Sequence, residues 1–360
     1  MNILFRCDGG LSRGTGHIMR CLCLAEKLKE SGGKITFVCT REPGIPAQVL
    51  HDRGIPLVQL ENRQAEPIVT ERIWAEDEQR LDFEETKDRL NGQTFDWTII
   101  DHYGLTAIWE TQARSLGRHI LAIDDLANRP HDCDLLLDQN EYTDKDIRYT
   151  NLLPPSAATL FGGRYALLRD EFFVARDEKR PIRDRVENIL VMMSGADDRG
   201  ATLAILSALS KTLQSHDIRA NVVINPANPS IADILSLAKT CPNIHFHPGA
   251  RNIAALMQNA DLAFGAGGTA TWEFCCLGVP IILIPFADNQ VKIAQSAAAL
   301  GFAAYPGCLS AMGPLDILTT FTEIINDRPL REKMHNIGHG LVDGLGAQRV
   351  ADMMMQPEMN

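Results

Sequence analysis

The sequence has few aromatic residues and no long apolar run. Aromatic residues make up 6% of the 360 residues, and the longest apolar runs fall well short of the roughly 18 residues that a membrane-spanning helix needs. The chain enters an apolar, strand-like stretch at Asn2 without the pattern of a signal peptide. We therefore expect a cytoplasmic protein that has no membrane partner.

Clusters of basic residues and paired cysteines are also missing. The net charge is −11 and no run of Lys and Arg stands against it, so we expect no nucleic-acid partner. Nine cysteines, an odd number without a Cys-x-x-Cys pair, are typical of a reduced cytosolic protein. Cys275 and Cys276 are adjacent on a predicted helix, so their side chains diverge and are expected to pack in the core.

Neither of the common phosphate-binding consensus sequences, the P-loop or Gly-x-Gly-x-x-Gly, is present. Residues 260–290 offer a different glycine turn. An apolar strand at 262–264 leads into Gly265, Gly267 and Gly268, and a short helix is predicted from Thr269 to Gly278. Such a turn presents backbone N–H groups and the positive end of a helix dipole to a phosphate. A carboxylate one turn into this helix, that of Glu273, could bind the hydroxyls of a ribose; a plain tight turn with a surface Glu is the alternative.

The rest of the chain alternates short strands and helices, which predicts an α/β protein with two consecutive βαβ domains. We place an N-terminal domain at 1–176, a C-terminal domain at 188–345 and a C-terminal tail at 346–360, with a polar linker at 176–187. Polar residues follow the predicted strands, where open α/β sheets bind ligands. A cleft between the domains is the expected site.

His17 is the best candidate for a catalytic base. It follows Gly14, Thr15 and Gly16 in the first turn of a predicted helix, where the dipole disfavours imidazolium. A neutral imidazole at a cleft edge can take a proton from water or a hydroxyl. The alternative is a histidine that only caps or packs near a helix start.

Other polar residues allow more than one interpretation. A second group of polar residues follows the predicted strands: Asp8, Asp101, His102, Asp124 and Asp125. These side chains could hold divalent metals, but no strong ligand spacing is present, so we expect no metal or other cofactor. Otherwise they cap helices, brace loops or bind sugar hydroxyls. Ser12, Arg13 and Thr15 could contact phosphate or be solvated. The amides of Asn289 and Gln290 suit sugar hydroxyl and acetamido groups, unless Asp288 or Asn289 simply caps a helix.

Several motifs in this order resemble one family. They are Arg6-Cys7-Asp8, Gly14 to Leu22, Asp101-His102-Tyr103, Ile123 to Leu126, Cys133 to Asn140, Tyr165 to Phe172, Gly265 to Thr269, Trp272-Glu273, Cys275 to Pro280 and Asn289-Gln290. Together they resemble the UDP-2,4-diacetamido-2,4,6-trideoxy-β-L-altropyranose hydrolases of pseudaminic acid biosynthesis. The second half is also similar to UDP-GlcNAc transferases of the glycosyltransferase-B type.

The resemblance implies two Rossmann-like domains facing a cleft, with UDP held chiefly by the second and the sugar projecting toward the first. It matches His17 with the catalytic histidine and Glu273 with the ribose-binding carboxylate. It also matches Tyr103 and Asn289 with positions near the sugar, and Gly267, Gly268 and Thr269 with the diphosphate-binding turn, while Arg169 lies in a family motif and is a further nucleotide candidate. The remaining candidates are Asp8 and Gln290 for the sugar, and Gly14, Thr15, Gly16, Gly195 and Ile253 for the nucleotide. Cys7 and the Met193–Asp197 stretch depart from the family pattern, so no role is assigned to Ser194.

These observations predict a monomeric, metal-independent hydrolase for a UDP-sugar. His17 would take a proton from a water that attacks the anomeric carbon with inversion, and UDP would leave. A glycosyltransferase on the same scaffold is the alternative, with His17 activating an acceptor hydroxyl, since fold alone cannot separate the two.

Overall fold

A computed structural model describes residues 1–10, 14–44, 47–62, 72–177, 180–193, 197, 199–226, 228–250 and 252–356. The chain forms two compact units. Unit 1 comprises Met1–Asn140, Asp144–Leu167 and Leu345–Asn360, and unit 2 comprises Glu141–Thr143 and Leu168–Gly344. Apart from Glu141–Thr143, the chain therefore passes from unit 1 into unit 2 after Leu167, and not at residue 176, the domain boundary predicted from the sequence.

Unit 1 is a parallel sheet with helices between its strands. Its elements in chain order are β1 (Asn2–Cys7), α1 (Gly16–Glu30), β2 (Lys34–Thr40), α2 (Ala47–Asp52), β3 (Leu57–Leu60), α3 (Glu76–Leu90), β4 (Phe95–Asp101), α4 (Ala107–Ala113), β5 (Gly117–Ile123), β6 (Leu135–Asp138) and β7 (Ala158–Phe161), followed by a 3₁₀ turn at Gly163–Tyr165. The strand order is β3-β2-β1-β4-β5-β6-β7. The order reverses between β1 and β4, which is where such sheets bind ligands.

Unit 2 repeats this arrangement. Its elements are α5 (Asp170–Ala175), β8 (Asn188–Val191), α6 (Ala201–Ser215), β9 (Arg219–Ile224), α7 (Ile231–Thr240), β10 (Ile244–Pro248), α8 (Ile253–Gln258), β11 (Leu262–Gly265), α9 (Ala270–Cys276), β12 (Ile281–Leu283), α10 (Asp288–Leu300), β13 (Ala303–Ala304), α11 (Pro314–Asn326) and α12 (Arg328–Leu341). The parallel strands run β10-β9-β8-β11-β12-β13, so the order reverses between β8 and β11. The predicted α/β class is confirmed.

The last helix, α13 (Gly346–Met354), packs in the core of unit 1. Val350, Ala351 and Met354 are fully buried there, in the same cluster as Leu22 and Ala25 of α1. The segment expected to be a tail is thus a structural helix, because its apolar side chains recur at helical spacing and are covered by α1. Within the described residues, no helix combines the length and apolarity that a membrane crossing requires.

The stretch expected to be a linker is fastened to unit 2. Arg176 donates hydrogen bonds to the backbone oxygens of Cys276 and Val342, and Arg180 donates to those of Ala260 and Leu277. Carbonyls near helix ends lack partners within their own helix, and these arginines supply donors. The charged composition of residues 176–187 favoured a linker, but two of its arginines instead bind backbone carbonyls of unit 2.

Candidate functional site

In unit 1, His17 and Asp101 meet at the point where the strand order reverses. His17 lies in the first turn of α1, and Asp101 is the last residue of β4, which pairs directly with β1. Their side chains are joined by a contact of 2.6 Å between His17 Nδ1 and Asp101 Oδ1. Burial alone raises the pKa of Asp101, but the neighbouring Arg20 and His17 hold it well below its usual range. Asp101 is therefore a carboxylate, and the His17 Nδ1–H donates to it, which leaves Nε2 as the acceptor.

Arg20 binds the same carboxylate from the next turn of α1. Its Nε lies 2.6 Å from Asp101 Oδ2 and its Nη2 lies 2.6 Å from Oδ1. Its Nη1 donates to Asp125 Oδ2 at 3.1 Å. The Cys21 thiol also donates to Asp101, with Sγ 3.4 Å from Oδ2. Asp101 is thus held by three side chains from α1.

Tyr103 lies beside His17. The two ring centroids are 4.7 Å apart with the planes at 85°, an edge-to-face contact. The Tyr103 side chain hydrogen-bonds the Asp125 carboxylate, and burial together with that carboxylate raises the pKa of Tyr103 well above its usual value. Tyr103 is therefore a neutral phenol at any pH where the protein would function.

The other strand-end carboxylates are also paired with arginine. Asp8 contacts Arg6 at 2.6 Å, accepts from the Thr40 N–H at 2.7 Å and lies 3.1 Å from His102 Nε2. Asp8 is 3% exposed and belongs to this buried network, and its contact with the sugar stays a prediction. Asp124 contacts Arg129 at 2.7 Å. Within the described ranges, no group of three or more His, Cys, Asp or Glu side chains is arranged to hold a metal.

The turn before α1 lies at the surface on its described side. Gly14 has a φ of 74°, which favours glycine, and its carbonyl accepts from the Gly10 N–H at 3.0 Å. Thr15 and Gly16 are exposed at the start of α1. Ser12 and Arg13, named as phosphate candidates, lie outside the described residues.

In unit 2, the glycine turn joins β11 to α9 at the second reversal of strand order. Gly267 is buried with a φ of 93°, and a Cβ there would lie 3.2 Å from the Gln290 carbonyl. A Cβ at Gly268 would meet no heavy atom within 4 Å. Thr269 occupies the N-cap position of α9 without a side-chain capping bond. The turn thus packs on α10 at Gly267 and is open at Gly268.

Glu273 lies in the first turn of α9 and contacts Arg169. Arg169 Nη2 is 3.3 Å from Glu273 Oε1, and its Nη1 is 2.5 Å from Glu171 Oε1. Burial raises the pKa of Glu273, and Arg169 opposes that shift only in part. Two nucleotide candidates predicted from distant parts of the sequence therefore lie side by side. Glu171, which the sequence did not single out, completes the cluster.

The remaining candidates lie at helix starts in unit 2. Gln290 Oε1 accepts from the N–H groups of Phe286 and Ala287, 3.2 and 3.3 Å away, so Gln290 caps α10. The N-cap position is Ala287, so the alternative in which Asp288 or Asn289 caps the helix is wrong. Asn289 is half-buried, and Ile253 opens α8 and is buried. Ser194 and Gly195 lie outside the described residues.

The chain has the glycosyltransferase-B type of α/β fold, as its similarity to a solved structure shows. The chain is similar to MurG of Acinetobacter baumannii, with a TM-score of 0.68, 18% identity, and coverage of 98% of this chain and 99% of that one. Residues 213–309 match the glycosyltransferase family 28 C-terminal domain.

The family resemblance expected from the motifs is confirmed by closer relatives. The chain is 26% identical over 303 residues to the UDP-2,4-diacetamido-2,4,6-trideoxy-beta-L-altropyranose hydrolase of Campylobacter jejuni, which covers 84% of this chain and 98% of that protein. It is 25% identical over 366 residues to the spore coat polysaccharide biosynthesis protein SpsG of Bacillus subtilis, with 98% of each chain covered.

Proposed function

We propose that this protein hydrolyses a UDP-linked diacetamido-trideoxy sugar at its anomeric carbon and releases UDP and the free sugar, as a step of pseudaminic acid biosynthesis. The observation that carries the proposal is the 2.6 Å contact between His17 Nδ1 and Asp101 Oδ1. A histidine whose Nδ1–H is fixed by a carboxylate has its Nε2 lone pair available as a general base. The substrate class comes from the printed name of the Campylobacter relative, which matches most of this chain.

In the proposed reaction, His17 Nε2 takes a proton from water as the water oxygen forms a bond to C1. The bond between C1 and the UDP oxygen breaks on the opposite face, and its electron pair leaves with UDP, so the configuration at C1 inverts. Asp101 stabilises the imidazolium that forms. UDP spreads its charge over several phosphate oxygens and leaves without a dedicated general acid, so the reaction needs one base and no metal.

Unit 2 is proposed to bind UDP. The Gly267–Thr269 turn at the start of α9 would present backbone N–H groups to the diphosphate. Glu273, one turn further along α9, would accept hydrogen bonds from the ribose hydroxyls, with Arg169 beside it. Gly14, Thr15, Gly16, Gly195 and Ile253 remain proposed nucleotide contacts. Tyr103, Asn289 and Gln290 remain proposed sugar contacts.

Transfer of the sugar to an acceptor hydroxyl is the second candidate. It is favoured by the match of residues 213–309 to a glycosyltransferase family domain. His17 would then deprotonate the acceptor instead of water, and the same Asp101 contact would serve both reactions. The choice between them rests on the acceptor and not on the base.

The two reactions separate in ¹⁸O-water. The purified chain would be incubated with UDP-2,4-diacetamido-2,4,6-trideoxy-β-L-altropyranose and EDTA, without acceptor, and the products weighed by mass spectrometry. We expect ¹⁸O in the free sugar and none in UDP. We also expect the rate to fall about 10²- to 10⁴-fold in His17→Gln, the usual contribution of a general base.

Glu273→Gln is the variant to compare with His17→Gln. Because Glu273 is proposed to bind the ribose and not to take part in the chemistry, this change should raise KM for the UDP-sugar more than it lowers kcat. Label in UDP would mean attack at phosphorus and would overturn the mechanism. UDP release that depends on an added acceptor would establish the transferase. Loss of all activity in EDTA would contradict a metal-independent reaction.

A further inference from the structure

Arg20 contacts the carboxylate partner of His17, Asp101, and the carboxylate partner of Tyr103, Asp125. It is buried, with 5% of its side chain exposed. Two of its nitrogens bind Asp101, which holds His17, and a third binds Asp125, which holds Tyr103. The rings of His17 and Tyr103 are in contact, and the guanidinium of Arg20 holds both of them through their carboxylate partners. A planar fork of five donors can bridge two carboxylates in this way, whereas a lysine ammonium cannot.

The charge of Arg20 matters as much as its shape. A lone carboxylate in contact with His17 would favour the imidazolium, which is useless as a base. Arg20 neutralises Asp101 through two contacts of 2.6 Å. Its Nη2 also lies 3.2 Å from His17 Nδ1, where a positive charge opposes protonation of the ring.

The other charged and titratable groups around His17 leave this role to Arg20. From β4 and its end come Asp101 and Tyr103, and from the end of β5 comes Asp125, reached through Arg20. The nearby thiols of α1 and β1, Cys21 and Cys7, stay protonated because burial raises the pKa of both. Asp8, which follows β1, is engaged by Arg6 and His102.

We propose that Arg20 is a positioning residue of this site: by offsetting the charge of Asp101 and tying it to Asp125, it orients His17 and keeps Tyr103 beside it. This inference rests on the proposed function for its meaning, because it assigns to Arg20 the orientation and electrostatic surroundings of the proposed base. Its effect on the ring is independent of substrate and is measurable without it.

The test is an NMR titration of the full-length chain labelled at histidine, with the His17 signal assigned by its loss in His17→Gln. Removing the guanidinium in Arg20→Gln should raise the midpoint of the His17 titration by about one pH unit or more, since Asp101 then faces the ring uncompensated. Arg20→Lys keeps one charge but loses the bridge, so it should shift the midpoint in the same direction by less.

Arg129→Gln is the matched control. Arg129 is equally buried and pairs with Asp124 at 2.7 Å without a contact to His17, so the midpoint should stay where it is in the unmodified chain. A folded Arg20→Gln protein with an unmoved midpoint would overturn the inference. If Arg20→Gln does not fold, an unmoved midpoint in Arg20→Lys overturns it equally.

The acid limb of the pH–rate profile for UDP release provides the second readout. It should move upward in Arg20→Gln by the same amount as the NMR midpoint, which a merely structural role would not produce. If the NMR midpoint moves but the unmodified chain releases no UDP, the proposed function fails and the role of Arg20 stands. If the unmodified chain releases UDP but the NMR midpoint does not move in Arg20→Gln, the role of Arg20 fails and the proposed function stands.

Discussion

Buried arginine–aspartate pairs line the carboxyl ends of the strands in unit 1. Arg6, Arg20 and Arg129 each contact a carboxylate that ends or follows a strand, and each is at most 5% exposed. Removing two charges from water costs nearly as much as their attraction returns, so such pairs add little net stability. Their effect here is to fix the position of each carboxylate. Asp101 can orient His17 because it cannot move.

His131 gives a pH dependence that can be measured. Burial alone lowers its pKa, but the carboxylates of Glu110 and Asp124 outweigh burial and raise the pKa to about 9. A folded-state pKa above the unfolded value of about 6.5 means that the stabilisation is complete below about pH 6.5 and is lost as the pH rises through 9. The raised pKa of His131 corresponds to a stabilisation on the order of 3 kcal/mol at the lower pH.

We therefore expect His131→Gln to lower the Tm most at pH 6, with the gap to the unmodified protein closing toward pH 9.5. Differential scanning calorimetry at several pH values would measure both proteins. His119→Gln is the control, because burial lowers the pKa of His119. A gap for His131→Gln that is the same at pH 6 and pH 9.5 would contradict the assignment.

For single residues, the sequence predicts His17 as the candidate base but does not predict that Asp101 is its partner. His17 is visible because it follows Gly14-Thr15-Gly16 at a strand-to-helix turn. Asp101 lies 84 residues away, and it becomes the partner only because β4 pairs with β1. Until the strand order is known, the carboxylate of Asp101 is equally compatible with a metal ligand or with a residue that braces a loop.

The turn between β11 and α9 uses its glycines for two different purposes. Gly267 has a left-handed φ of 93° and packs against Gln290, so its role is to allow the turn to form. Gly268 needs neither property, because a Cβ there would meet open space. The sequence predicts the turn from its three glycines but does not distinguish these roles, which depend on contact with α10.

Two alanine substitutions separate these roles. Gly267→Ala should lower the unfolding free energy by about 1 to 3 kcal/mol, since alanine is strained at that φ and its Cβ crowds the Gln290 carbonyl. Gly268→Ala should leave the Tm within about 1 °C but weaken UDP binding, because a methyl group would occupy the space proposed for the diphosphate. Thermal unfolding and titration calorimetry with UDP would measure the two effects. Equal losses of Tm would show that both glycines are structural.

Helix starts show the limits of local prediction at the scale of elements. One of the two interpretations that the sequence allows is a cap of α10 by Asp288 or Asn289, residues with good capping propensity. Gln290 instead reaches back to two N–H groups, so the helix begins at Asp288. The choice between a capping amide and a ligand-binding amide depends on the direction of the side chain, which composition does not encode.

Over the whole molecule, the two units share one strand order, reversed at β1/β4 and at β8/β11. The alternation of strands and helices predicts two α/β domains, and the resemblance predicts their class. It does not predict that α13 returns to unit 1, because that depends on contacts with α1, more than three hundred residues earlier in the chain.

The return of α13 is testable with two neighbouring methionines. Met354 is fully buried and Met355 is 37% exposed. Met354→Ala should cost about 2 to 5 kcal/mol of unfolding free energy because it leaves a cavity against α1, and Met355→Ala should cost less than about 1 kcal/mol. Chemical denaturation followed by circular dichroism would compare them. Similar small losses in both would show that α13 contributes little to unit 1.

Along the chain, unit 2 is almost entirely an insertion between two parts of unit 1. During synthesis, residues 168–344 are complete before α13 has emerged from the ribosome, so unit 2, where UDP is proposed to bind, can reach its final form first. The half that carries His17 must wait, with the face of α1 that α13 will cover still open to water. A growing chain therefore acquires the proposed nucleotide site before the proposed base is fully supported, and α13 completes the core of the unit that carries His17.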